Sequence, residues 1–207
     1  TRSVSAFLLN RSSDLVLSDD FIITGDSEDI LREEVKPLIA NFLAERGLTL
    51  SEEKTLVTHI DNGFDFLGFN VRKYNGTLLT KPSKDRVKKF TAKIKDVIKK
   101  NSSTTQSDLI FTLNPIIKGW GNYYQFCAAT ETFRKTDNAI FQKIWRWCLR
   151  RHHNKGLAWI KNRYFHKMGN RDWIFSTEVS RKNGNFYHSL VSLTDIKIKK
   201  YPQLKAA

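Results

Sequence analysis

The chain changes character at Lys81-Pro82, in charge and in hydrophobic period at the same place. Residues 1–80 hold 8 Lys/Arg against 13 Asp/Glu, a net of −5. Residues 81–167 hold 20 against 5, a net of +15, and residues 168–207 add +4 to reach the total of +14. Before the break, apolar residues come in short β-rich runs separated by Asn-Gly turns. After it they recur every three or four positions, the period of a helix with one buried face. The pattern predicts an α+β chain: antiparallel hairpins to about residue 80, a basic helical domain over 81–167, and a small β tail over 168–207.

A charge of +15 on 87 residues repels itself, and a polyanion that supplies counter-charge is the simplest reason to keep it. Aromatic residues are interleaved with these cations. A lipid-binding helix would segregate the two onto opposite faces, so nucleic acid is expected as partner, and no membrane. No run approaches the roughly 18 uncharged apolar residues of a spanning helix, and TRSVSAFLLN at the N-terminus lacks a signal-peptide pattern. The expected setting is aqueous and not secretory, a bacterial cytoplasm or an organellar matrix. Cys127 and Cys148 have neither metal-site spacing nor the number of a disulfide framework, and read as reduced core thiols.

Residues 1–13 show no pattern. The apolar runs Leu15-Leu17 and Phe21-Thr24 flank a polar pair, predicting a hairpin with Asp19 and Asp20 at its tip. Ser27 should cap a helix whose apolar stripe is Leu31, Val35, Leu38 and Phe42, with Pro37 kinking it or marking its start and Gly47 ending it. Asn62-Gly63 and Asn75-Gly76 read as turns of a small antiparallel unit. Beyond the break, Ser83 should cap a helix burying Val87, Phe90, Ile94 and Val97, and residues 101–107 read as a linker. Ser107 should cap a short helix, with Asn114-Pro115 starting the next. A longer helix is expected from Thr132 to Arg151, burying Phe133, Ile140, Ile144, Trp147 and Cys148. A further basic, aromatic helix is expected over 155–166, then a hairpin turned at Asn183-Gly184.

Paired aspartates at a hairpin tip suit a two-metal phosphoryl-transfer site, because hard carboxylate oxygens hold Mg²⁺ ions about 4 Å apart. A plain turn would have the same residues. The surroundings are more specific: DDFIIT from Asp19, then ERGL, LSEEKT and GFDFLGF, in this order. This string resembles the palm of group II intron-encoded reverse transcriptases. Further on, LNPIIKGWGNYY (Leu113 to Tyr124) and IWRWCLRRHHNKGLAWIKNRYF resemble the thumb, or maturase-specific domain, of the same family. LTDIKIKK near the end is a weaker echo.

The resemblance implies that Asp19 and Asp20 are catalytic and hold Mg²⁺, with Lys54 a palm lysine near the leaving pyrophosphate. It implies that Leu67, Gly68 and Phe69 form a primer grip. The intact protein would act on structured intron RNA in splicing and on an RNA/DNA template–primer as an RNA-directed DNA polymerase. Leu17 and Ser18 depart from the aromatic and small residues the family places before its aspartates. A third carboxylate from an earlier palm strand is also required, and only eighteen residues precede Asp19. Asp14 is too near to supply it. Polymerisation by this chain alone is not expected; a complementing N-terminal half would be needed. A generic basic nucleic-acid-binding protein is the remaining alternative.

Within the basic half, Lys84, Lys88 and Lys118 are candidate phosphate contacts. Tyr123 and Tyr124 are candidates for stacking on bases, with Trp120 expected inside. Arg146, Arg150 and Arg151 lie along one helix, and their planar forks suit phosphate. His152 and His153 lack a second cluster with ligand spacing, so zinc is not expected.

Overall fold

The computed structural model describes residues 3–10, 20–53, 55–181 and 184–199, with backbone alone at 3–10, 20, 180–181 and 184–185. The chain divides into two compact units, Thr1–Ser83 and Lys84–Ala207. Both mix helices with antiparallel strands, as an α+β chain should.

In the first unit β1 (Ser3–Asn10) is the central strand. On one side it pairs antiparallel with β2 (Asp20–Gly25), Phe7 opposite Phe21 and Val4 opposite Thr24. On its other side it pairs with β3 (Thr49–Leu50) and β4 (Leu56–His59). The partner of Phe21–Thr24 is thus the stretch that showed no pattern. Its alternation of Ser3 and Ser5 with Val4 and Ala6 is the period-two signal that identifies it. The run 15–17 lies outside the described residues.

The Ser27 hydroxyl accepts the Ile30 N–H at 3.2 Å, capping a wide helical turn over Ile30–Val35. An α-helix, α1 (Lys36–Ala44), continues from it with Pro37 in its first turn. Gly47 follows in the left-handed conformation. The buried residues here are Leu31 and Leu43, whereas Leu38 is 70% and Phe42 53% exposed. The expected stripe therefore holds at Leu31, in part at half-buried Val35, and fails at Leu38 and Phe42. The wide turn before Pro37 breaks the 3.6-residue phase on which that stripe depended.

Three more strands, β5 (Phe64–Phe66), β6 (Phe69–Tyr74) and β7 (Thr77–Pro82), form an antiparallel sheet in sequence order. Ile60 and Phe64 form a small core, with Ile22, Phe66 and Val71 against it. Asn75 and Gly76 have φ of 46° and 82°, the mirror-image turn that suits the twist of a hairpin.

The second unit is built on α2 (Lys84–Lys100), α3 (Gln106–Tyr124) and α4 (Thr130–Arg151). Phe90, Ile94 and Ile98, each four residues apart, form the buried ridge of α2. Phe133, Ile140, Ile144, Trp147 and Cys148 are buried along α4, as their spacing predicts. Helix α3 differs from expectation. Thr105, not Ser107, caps it by accepting the Asp108 N–H, and Pro115 sits inside one continuous helix. The interior proline costs about 3 kcal/mol, but Leu109, Ile110, Leu113 and Ile117 are completely buried around it. At about 1.5–3 kcal/mol each, that burial outweighs the lost helix bond.

A short α5 (Leu157–Tyr164) leads into a three-stranded antiparallel sheet of β8 (Phe165–Met168), β9 (Arg171–Arg181) and β10 (Gly184–Ser189). Strand β8 takes the place of the end of the expected helix. The turn residue Asn183 lies outside the described residues. Asn114, expected to cap a helix, instead donates to the Ser189 carbonyl at 3.0 Å and accepts from Val191 N–H at 2.9 Å, tying α3 to the segment after β10. Cys127 and Cys148 are buried free thiols, pushed up to about 11 and about 12 by desolvation. Among the described residues no helix is long and apolar enough to cross a membrane.

Candidate nucleic-acid interface

Helices α2 and α4 pack against each other, and their apolar ridges leave the flanking lysines and arginines at the rims of the seam. The result is an open groove of about 750 Å³. Lys95 and Lys99 line it from α2; Lys143, Arg146, Arg150 and Arg151 line it from α4. No carboxylate lines it. Of the acidic residues of these helices, Asp85 pairs with Lys89 at 2.8 Å, Glu131 pairs with Lys135 at 2.6 Å, Asp137 binds the backbone of Leu193 and Thr194, and Asp96 stands on α2 outside the groove's lining. Among the described residues no ion pair neutralises Lys95, Lys99, Lys143, Arg146 or Arg150.

Arg151 serves a different purpose from its neighbours. Its Nη1 donates to the carbonyls of Ser102 and Thr104 at 2.9 and 2.8 Å, and its guanidinium lies 4.5 Å from the Trp147 ring centre. Trp147 Nε1 donates to the Asn101 carbonyl at 2.9 Å. The stretch expected to be a linker is therefore a held junction between α2 and α3, clamped by two side chains one turn apart on α4. Next along the chain, His152 Nε2 sits 2.6 Å from the Tyr164 hydroxyl. Desolvation first, and then Arg151, Arg163 and Lys155, push this imidazole below its usual value.

The glycine- and aromatic-rich end of α3 is mostly structural. Trp120 stacks on Phe90 with ring centres 4.4 Å apart and also meets Phe133. Tyr124 is 2% exposed, and burial pushes its hydroxyl up to about 12. It is a core residue, which corrects its assignment as a base-stacking side chain; at the helix position that faces Trp120, the apolar ring outweighs its polar tip. Tyr123 is 53% exposed, with its ring meeting Tyr124 edge-on at 4.8 Å.

Of the other candidates, Arg146, Arg150 and Arg151 come together in the groove, while Lys84, Lys88 and Lys118 are exposed outside its lining. Lys95, Lys99 and Lys143 are the residues that the site assignment missed. Their signal was present in the four-residue step from Lys95 to Lys99 and the three- and four-residue steps from Lys143 through Arg146 to Arg150. Asp19 and Lys54 lie outside the described residues, and Asp20 is described only as the first residue of β2. Leu67 and Gly68 form the two-residue turn between β5 and β6, with φ of 47° and 85°, and Phe69 opens β6 opposite Phe66. Gly68 is thus a turn residue. Leu67, 49% exposed, stands in a conformation that a side chain with a Cβ resists.

Residues 87–165 match the group II intron maturase-specific domain. The chain is 31% identical over 140 residues to the group II intron-encoded protein LtrA of Lactococcus lactis subsp. cremoris, covering 52% of this chain and 23% of LtrA. It is 34% identical over 98 residues to maturase-like protein 1 of Euglena longa, covering 45% of this chain and 21% of that protein. The chain thus spans less than a quarter of the length of these curated relatives. The matched segment contains α4, most of α2 and every basic residue of the groove. Residues 87–165 are therefore similar to the group II intron maturase-specific domain, and the chain is similar to group II intron-encoded proteins over part of their length.

Proposed function

We propose that this chain is the RNA-binding part of an intron-encoded maturase, holding structured intron RNA during splicing through the groove between α2 and α4. The observation that carries the reading is six cations lining one groove, with no carboxylate among them, inside a maturase-specific domain. Arginine forks take phosphate oxygens in pairs, and lysines add point charge along the backbone. Tyr123 adds an exposed ring for an unpaired base.

Competition binding at fixed salt tests this. Intron RNA should compete better than random duplex of equal length, and Arg146→Glu with Arg150→Glu should weaken binding at least tenfold. The double variant should also flatten the salt dependence by about one to two logarithmic units, because each phosphate contact contributes about 0.7–0.9. Equal affinity for intron RNA and random duplex would leave only a generic basic binder.

RNA-templated DNA synthesis is a finer reading, resting on the resemblance of the first unit to a polymerase palm. Two carboxylates at Asp19 and Asp20 are suitable donors for Mg²⁺. The reading needs a template–primer held by the same basic helices and a third carboxylate from a complementing half. Primer extension with Mg²⁺, comparing this chain with Asp19→Ala/Asp20→Ala, tests it; extension that survives the double change would refute it. The expected setting for either role is a bacterial cytoplasm or an organellar matrix.

A further inference from the structure

A second cavity lies on another face of α4. It has a volume of about 280 Å³ and sits between α4, the β8–β9 hairpin and the segment after β10. Phe141, Phe165, Trp173 and Phe175 supply aromatic walls, and Asn138 and Asp172 stand among its lining residues. This is room for about nine waters at ~30 Å³ each, or for one planar ring system, and too little for an extended cofactor.

The strand carrying Trp173 is deformed at this point. His166 faces Ile174 and Met168 faces Arg171, so Lys167 alone faces both Asp172 and Trp173. Such a two-against-one bulge re-aims side chains. Trp173 takes φ of +63°, a conformation unfavourable for a large side chain, and remains 41% exposed while its edges meet Phe141 and Trp145. The Lys161 ammonium lies 4.8 Å from its ring centre.

Among its lining residues the cavity offers an anion no uncompensated cation; the nearby Lys161 ammonium is placed over the Trp173 ring. Arg171 is held by both oxygens of Asp195 at 2.7 and 2.9 Å, and Asp137 is taken up by Ser192, Leu193 and Thr194. Asp172 is exposed, with no ion pair or hydrogen bond among the described residues, and repels phosphate. Its carboxylate and the Asn138 amide can read the donor and acceptor edge of a neutral heterocycle.

From these features we propose that the cavity receives a single unstacked nucleobase of the bound RNA, stacked on Trp173 and read by Asn138 and Asp172. The inference rests on the RNA-binding reading above and adds a base-specific site beside the phosphate-binding groove. Around α4 the two sites use different residues, Phe141 and Ile144 for the cavity, Lys143, Arg146 and Arg150 for the groove.

The test uses the full chain and 2-aminopurine riboside, an uncharged nucleoside whose fluorescence falls on stacking. Saturable quenching is expected, weakened about tenfold or more by Trp173→Gly, which accepts the left-handed backbone without strain. Asn138→Ala with Asp172→Ala, at exposed positions, should weaken it several-fold without changing the melting temperature. Adenosine should displace the probe; ribose 5-phosphate and p-cresol should not.

The proposal is overturned by absence of saturable quenching, by undiminished binding in both variants, or by displacement as strong with ribose 5-phosphate or p-cresol as with adenosine. Arg146 and Arg150 are judged in a separate assay, polymeric RNA binding. Failure of the base site and failure of the RNA-binding reading are therefore distinguishable.

Discussion

Gly121 on α3 and Ile196 after the last 3₁₀ turn (Leu193–Asp195) approach so closely that a Cβ on the glycine would lie 2.1 Å from Ile196 Cδ1 and 3.0 Å from Leu193 Cδ2. The missing side chain of one residue is the docking space of the other. Asp137 holds the same turn from α4 through the backbone N–H groups of Leu193 and Thr194.

Two glycines two residues apart on α3 should accordingly respond in opposite directions to alanine. Gly121→Ala must displace the 193–196 segment, and is expected to destabilise by about 1–3 kcal/mol. A Cβ at Gly119 meets nothing within 4 Å. Gly119→Ala should stabilise by about 0.5–1 kcal/mol through helix propensity alone. Urea unfolding of the two variants decides; equal effects would contradict the geometry.

Arg150 and Arg151 are adjacent, and their substitutions should separate binding from folding. Arg150→Met is expected to keep stability within about 0.5 kcal/mol and to reduce RNA affinity severalfold. Arg151→Met removes the bonds to Ser102 and Thr104, and is expected to cost about 1.5–3 kcal/mol, the range for hydrogen bonds from a charged donor. Thermal melts beside RNA titrations read both quantities.

Leu67 is exposed and left-handed, so its side chain contributes strain with little burial in return. Leu67→Asn should stabilise the first unit by about 1 kcal/mol, since asparagine visits this conformation readily. Hydrogen exchange at the β5–β6 turn, slower in the variant, is the readout.

Cys127 and Cys148 ordinarily ionise near 9 and are pushed up to about 11 and about 12 in the fold. Unfolded chains lose these protons first, so the thiols' contribution is complete below about pH 9. It is lost as pH rises through 11 and 12. Urea unfolding at pH 8 and pH 10 should show lower stability at pH 10. Cys127→Ala with Cys148→Ala should reduce that difference, and an unchanged difference would assign it to other groups.

The elements legible in the sequence are those whose burial depends on neighbours three or four residues away. Helix α4 shows its whole stripe that way, as does most of α2, where the spacing predicts Phe90 and Ile94 correctly but points to Val97 where Ile98 is buried. Illegible elements depend on distant partners. Asn114 looks like a helix cap until its side chain meets Ser189 and Val191, seventy-five and seventy-seven residues on. The groove was half legible: the arginines on one helix and the four-residue step from Lys95 to Lys99 on the other stand out separately, but only packing brings the two helices together. The base cavity was not legible at all, because a bulge facing a helix leaves no periodic trace.

Arg151 also bears on how so basic a domain assembles. A groove of cations should push its own walls apart until a polyanion arrives. Here one of those cations is bound to two backbone carbonyls at the α2–α3 junction, and Trp147 beside it binds a third. The chain supplies its own counter-dipoles where α4 meets the α2–α3 junction. The domain can close before any ligand is present, so a polyanion bound there would meet a formed surface and spend little of its binding energy on folding the protein.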